Sequence, residues 1–208
     1  MNVISWENGD SRISDMPDCT HPFLSRVVQR LNDSICEQCD GGLLCADCSV
    51  IVLGLAHRTV GTADADPDGR VMVRIAAEEA QRVAHLNSDP RVQAAIDAAL
   101  AWADTPTAAA AYAANAAAGR VVAYAATRAT HAAAYAAYAA AGRVEQTADA
   151  YATYATYAAD AAAYAAAGRV EQTERIIDRF RALTGHDTTA PDPTVTAQAI
   201  TRMLQVTA

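Results

Sequence analysis

The stretch Ala108-Ala109-Ala110-Ala111-Tyr112-Ala113-Ala114-Asn115-Ala116-Ala117-Ala118-Gly119-Arg120-Val121 sets the character of the chain, because its pattern returns twice, at Gly142-Arg143-Val144 and Gly168-Arg169-Val170. All eight tyrosines lie between Tyr112 and Tyr164, set in alanine. Alanine has the highest helix propensity, and residues 108–181 contain no proline, so only the glycines give the backbone a reason to leave the helical state. The intervals between the Gly-Arg-Val units are 23 and 26 residues. Unequal intervals disfavour a regular solenoid and fit helices packed antiparallel. The expected fold is all-α: a multi-helix antiparallel bundle of close-packed alanine-rich helices with an irregular N-terminal arm.

Within the tract, Tyr135 and Tyr138, and Tyr151, Tyr154 and Tyr157, recur at every third position. Residues three apart share a helix face, so these rings stack on one side while alanine faces let the helices approach closely. The five tyrosines fill core and boundary gaps. If they face solvent together, they are the first candidates for a partner-binding surface, because interfaces are enriched in aromatic residues.

Outward from the tract, helix signals follow one another. Thr105-Pro106 is a start signal, and Asp89-Pro90 places a capping acid before proline at the first helical position, with Val92, Ile96, Leu100 and Ala103 along one face. A helix is expected over residues 71–86. Residues 43–56 read as a buried helix, and Phe23, Leu24, Val27, Val28 and Leu31 recur at helical spacing from Pro22. Between Gly61 and Gly69, Asp64, Asp66 and Asp68 alternate as in a calcium loop, but the terminal glutamate is missing and a solvated turn is expected. Ile176, Ile177, Phe180 and Leu183 mark an amphipathic helix that Gly185 ends. The expected organisation is residues 1–42 as an arm with one short helix and a Cys-rich turn, 43–185 as a single helical domain, and 186–208 as a linker and short helix.

Sixteen arginines, no lysine and 24 acids give a net charge of -8, and no arginine cluster forms a basic face. Phosphate neutralisation needs concentrated positive charge, so nucleic-acid binding is not expected. An acidic surface suits a basic protein partner. No basic-then-apolar signal opens the chain and no apolar run is long enough to span a bilayer, so a cytoplasmic protein without membrane attachment is expected, with five mostly reduced cysteines.

The strongest chemical motif is Cys36-x2-Cys39-x5-Cys45-x2-Cys48, with Cys19, His21 and His57 as further candidate ligands. Four thiolates can close a tetrahedral zinc site, though the five-residue separator is shorter than in zinc ribbons. The alternative is that Cys45 and Cys48 are free thiols packed toward a core. The first three spacings also resemble the iron–sulfur core of the WhiB-like regulators, whose following turn and basic tail are missing here. Catalysis has no residue set: the serines lack a nucleophile elbow, no glycine-rich phosphate loop follows a strand, and Glu78-Glu79 beside Arg74 and Arg82 reads as surface ion pairs. No enzymatic activity is expected.

The segment Leu44-Cys45-Ala46-Asp47-Cys48-Ser49-Val50-Ile51-Val52-Leu53, the stretch Asp89-Pro90-Arg91-Val92-Gln93-Ala94-Ala95-Ile96-Asp97-Ala98-Ala99-Leu100-Ala101-Trp102-Ala103 and the Ala/Tyr tract ending in Glu174-Arg175 resemble the alanine-rich immunity proteins of bacterial genomes. The resemblance covers roughly residues 43–184. It implies an all-helical protein that binds and neutralises a partner toxin or effector, and it carries over no catalytic residue. Two further readings stand beside it: a small zinc regulator built on the four cysteines, and a helical assembly subunit that self-associates.

Overall fold

The computed structural model describes residues 1–35, 44–122, 135–136 and 168–186. Among these the protein is all-α. The helices are α1 (Asn2–Asn8), α2 (Pro22–Asn32), α3 (Ala46–His57), α4 (Arg70–Val83) with a 3-10 turn at Ala84–Leu86, α5 (Pro90–Asp104), α6 (Ala108–Val122) and α7 (Arg169–Thr184). The chain forms two compact units, Met1–Ala65 with Val170–Ala208 and Asp66–Arg169. The division falls inside the segment 43–185 that sequence treats as one domain.

In the first unit, the N-terminal arm is more ordered than its polar sequence suggests. Ser5 is fully buried on α1, where its hydroxyl donates to Asp10 Oδ2 at 2.7 Å and accepts from the Ser14 N–H at 3.1 Å. A serine that organises the following loop is invisible to a search for apolar periodicity, which is why α1 was not expected. Helix α2 follows its signals: Pro22 sits in the first turn, His21 caps it through Nδ1 with the Phe23 N–H at 3.3 Å, and Phe23, Leu24, Val27, Val28 and Leu31 are buried.

Helix α3 corrects an expectation. It is apolar around much of its circumference, yet only Val52, Leu53, Leu55 and Ala56 are buried, while Val50 and Ile51 are 50% and 41% exposed. The turn after α3 is tied to the segment before α2: Gly61 N–H donates to the Cys19 carbonyl at 2.8 Å and His21 N–H to Thr62 Oγ1 at 3.0 Å, with Thr59 and Thr62 fully buried. The expected solvated turn is thus in part a buried one.

Helix α7 closes this unit. Ile176, Ile177 and Phe180 are buried, and the Phe180 ring lies 4.9 Å from His21 and 6.3 Å from Phe23, centroid to centroid. Its other contacts form a polar clamp on the turn after α3. Arg58 reaches Glu174 at 3.4 Å and also Asp178, Arg181 Nη1 donates to the Arg58 carbonyl at 2.8 Å, and His186 Nε2 meets the Gly61 carbonyl at 3.0 Å. Gly185 ends α7 at φ 74°, a left-handed conformation that glycine alone adopts without a Cβ penalty, as its sequence position suggested.

The second unit starts from a capping device. Asp66 is 5% exposed and its carboxylate accepts from the Val71 N–H at 3.1 Å and the Met72 N–H at 2.9 Å, satisfying two of the donors that α4 leaves open. Asp66 therefore has a structural task, which accounts for part of the acidic alternation in residues 61–69. Helices α4 and α5 run antiparallel: Arg70 donates to the Ala103 carbonyl at 2.9 Å and the Asp104 carbonyl at 3.1 Å at one end, and at the other Gln81 Nε2 donates to Gln93 Oε1 at 3.1 Å and Gln93 Nε2 to Gln81 Oε1 at 2.8 Å. Arg74 pairs with Asp104 and Arg82 with Glu79. Glu79 itself is buried, so the expected surface pair is half interior.

Helix α5 keeps its expected cap, with Asp89 accepting from the Arg91 N–H at 2.9 Å. Helix α6 starts two residues later than Thr105-Pro106 suggests, because Thr107 Oγ1 accepts from the Ala110 N–H at 3.1 Å. Ala111, Ala114 and Ala117 form its buried face, and α6 packs on α5, where Ala95, Ala99 and Ala103 are also buried. The close-packed alanine helices expected from sequence are present here.

Candidate functional site

Cys36 and Cys39 lie outside the described residues. Cys45 is the N-cap of α3, with extended backbone (φ -66°, ψ 165°) and its carbonyl accepting the Ser49 N–H at 2.9 Å. Cys48 is three residues on, in the first turn. Cys45 is exposed and Cys48 half-buried. Neither is fully buried, which differs from the alternative of two thiols packed toward a core.

The two thiols are not equivalent. The backbone N–H of Cys48, and then its thiol, stabilise negative charge on Cys45 Sγ and hold its pKa below the ordinary thiol value. Cys48 is pushed up, chiefly because its thiol serves Cys45 as a hydrogen-bond donor, with burial and the nearby Asp47 charge adding to the effect.

The further ligand candidates are used elsewhere. Cys19 is half-buried, its carbonyl holds Gly61, and burial raises its thiol pKa, helped by Asp10 and Asp18. His21 is the buried cap of α2. His57 has Nδ1 3.0 Å from the Leu53 carbonyl and Nε2 2.7 Å from Glu7. A ring engaged at both nitrogens offers no lone pair to a metal without breaking a bond. Among the described residues no three His, Cys, Asp or Glu side chains converge as a metal site would require.

Of the candidate tyrosines, Tyr135 is half-buried, and Tyr138, Tyr151, Tyr154 and Tyr157 lie outside the described residues. The aromatic residue that stands out is Tyr112, 59% exposed on α6 on the side away from Ala111 and Ala114. Sequence reasoning passed it over because it lacks a tyrosine neighbour at helical spacing. The other surface it missed is Val50 with Ile51 on α3, masked by a run so apolar that no side of the helix could be singled out.

No helix among the described residues is long and apolar enough to cross a membrane. Among the described residues, the outward surfaces include exposed apolar side chains, among them the adjacent pair Val50 and Ile51, and the two thiols at the start of α3. No protein-family model, curated protein or solved structure matches the chain.

Proposed function

We propose that this chain is a non-enzymatic protein-interaction module of the immunity type, which binds and neutralises a toxin or effector in the cytoplasm. The observation that carries the interaction reading is the adjacent exposed pair Val50 and Ile51, two β-branched apolar side chains on a helix whose other side supplies the core. Large apolar side chains left in water at neighbouring positions favour burial by a partner. The net charge of -8 favours a basic one and speeds its encounter. The immunity assignment rests on the resemblance of α3, α5 and the Ala/Tyr tract.

The test is co-expression with the products of adjacent genes. Growth rescue from a toxic product, with co-elution of the two proteins, is the expected result. Replacing Val50 and Ile51 together by aspartate should weaken that complex at least about tenfold, or about 1.4 kcal/mol. Unchanged affinity in the double variant removes α3 from the interface, and absence of rescue by any neighbour removes the immunity reading. Self-association in light scattering without a second protein favours an assembly subunit.

A further inference from the structure

We infer that the outward face of α3 is a helix-docking seam, on which a cationic amphipathic helix of the partner protein crosses at Gly54. This rests on the interaction reading above and names the chemistry of its contact. Spacing defines the face: Asp47, Val50, Ile51 and Gly54 stand at i, i+3, i+4 and i+7, an arc of about 100° on a helix of about 3.6 residues per turn. Val52, Leu53, Leu55 and Ala56, which supply the core, centre on the opposite side. A stripe with this spacing ordinarily lies against a neighbouring element, yet here Val50 and Ile51 face solvent.

Gly54 is an independent observation. Glycine inside a helix is less favourable than alanine, so it is kept where something needs the space. The chain itself makes no such demand. Gly54 lies within α3 without a positive φ, and among the described residues a Cβ built on it would meet no heavy atom within 4 Å beyond its own helix backbone. What the missing side chain permits is close approach of a second backbone, toward the lower end of the roughly 8–10 Å that separates packed helix axes.

The open length sets the crossing. Asp47 and Gly54 are separated by about 10.5 Å of helical rise, close to the roughly 10–12 Å diameter of one helix. The next position on the face is Arg58, whose side chain is 10% exposed and held by Glu174 and Asp178 of α7. A helix lying parallel to α3 would run into that clamp, whereas one crossing at about 50° fits the opening. Charge selects the occupant. Asp47 is exposed at the N-terminal end of the face and the whole chain carries a net charge of -8, which favours a cationic helix and opposes a second copy of this chain.

The test uses the full-length chain and three synthetic peptides of about 18 residues, long enough to form a helix. One is an arginine-rich amphipathic helix with a leucine and alanine face, one a scramble of the same composition, and one carries glutamate in place of arginine. By fluorescence anisotropy the cationic helix should bind at least about tenfold more tightly than either other peptide, and amide NMR shifts should centre on Val50, Ile51 and Gly54. Gly54→Leu should weaken binding at least about tenfold while raising the melting temperature of the chain alone, and Gly54→Ala should raise it by about 1–4 °C, because the glycine penalty is removed without a clash. A glycine that serves only the fold would not give a firmer chain with weaker binding. The inference is overturned if the cationic helix does not bind below about 1 mM, if it and the scramble bind alike, if Gly54→Leu binds unchanged, or if either Gly54 variant melts lower. It is also overturned if the chain self-associates in light scattering and loses that property in Gly54→Leu, which would make a second copy the occupant. Aspartate at both Val50 and Ile51 separates the two readings: binding lost there but kept in Gly54→Leu removes the crossing and retains α3 as the interface, whereas binding kept in both removes the interface itself. No toxin enters these measurements, so absence of growth rescue bears on the immunity reading alone.

Discussion

Replacing Ala114 by leucine tests whether the alanine tract is packed as the α5 and α6 pair indicates. Ala114 is fully buried at the centre of a face that also contains Ala111 and Ala117, and α6 packs on α5, itself rich in buried alanine. Helices facing each other with alanine approach toward the lower end of the usual 8–10 Å interaxial range, which leaves no room for three added carbons. Overpacking of this kind costs about 1–3 kcal/mol, whereas alanine and leucine differ by only a few tenths in helix propensity. At about 2–4 °C per kcal/mol for a chain of this size, the melting temperature should fall by about 2–12 °C. Ala113→Leu is the matched control: the same substitution at an exposed neighbour should stay within about 0.5 kcal/mol. Urea unfolding followed by far-ultraviolet circular dichroism measures both, with an unchanged denaturant slope confirming that stability alone has moved. If the two variants differ by less than about 0.5 kcal/mol, α6 does not pack closely through alanine and the reasoning fails.

The clamp between α7 and the turn after α3 predicts that Arg58→Ala costs about 1–2 kcal/mol, discounted because Glu174 and Asp178 are nearly half exposed, and that the cost shrinks in about 1 M salt. A salt-independent loss in denaturant titrations would show that Arg58 acts through packing instead. Asp66→Ala should cost about 1–2 kcal/mol by removing both caps of α4. Because burial raises the Asp66 pKa above the usual 3.8, its favourable contribution is greatest below that pH and declines as pH rises through the raised value. The deficit of Asp66→Asn should therefore narrow between about pH 4 and pH 7, and a deficit that widens over that range refutes the assignment. Asp89 has the opposite sign: bonds from the Arg91 side chain and N–H lower its pKa to about 2, so its support of α5 is complete above 3.8 and lost as pH falls toward 2. Carboxyl-carbon NMR should find a midpoint near 2, and an ordinary one would show that the bonds do not persist in solution.

Legibility from sequence followed the physics of each segment. Helices α2 and α5 could be read because proline at the first helical turn and apolar spacing agree. Helix α1 could not, because Ser5 is a polar residue that contributes to the interior through hydrogen bonds. In α3 the apolar run fixed the existence of a helix but not its orientation, since Val50, Ile51, Val52 and Leu53 look alike to a periodicity argument and only neighbouring helices decide which are covered. The Cys-x2-Cys spacing of Cys45 and Cys48 was plain, but their placement at the exposed start of α3 was not. His21 and His57 looked like spare ligands in one dimension. Their rings turn out to be committed, one to capping α2 and the other to Leu53 and Glu7, which no spacing reveals.

The way α7 packs on the start of α2 and clamps the turn after α3 also has a bearing on synthesis. Asp178, the partner of Arg58, lies 120 residues downstream, so at roughly 5–20 residues per second the N-terminal helices emerge about 6–24 s before the strand of chain that completes their core. Helices α4, α5 and α6 face no such delay, since their neighbours follow one another directly. A ribosome making this protein therefore releases a unit that can fold at once, while the segment made first waits with His21 and Phe23 uncovered by Phe180. Any chaperone dependence should concentrate in that interval and on α2 and the turn after α3.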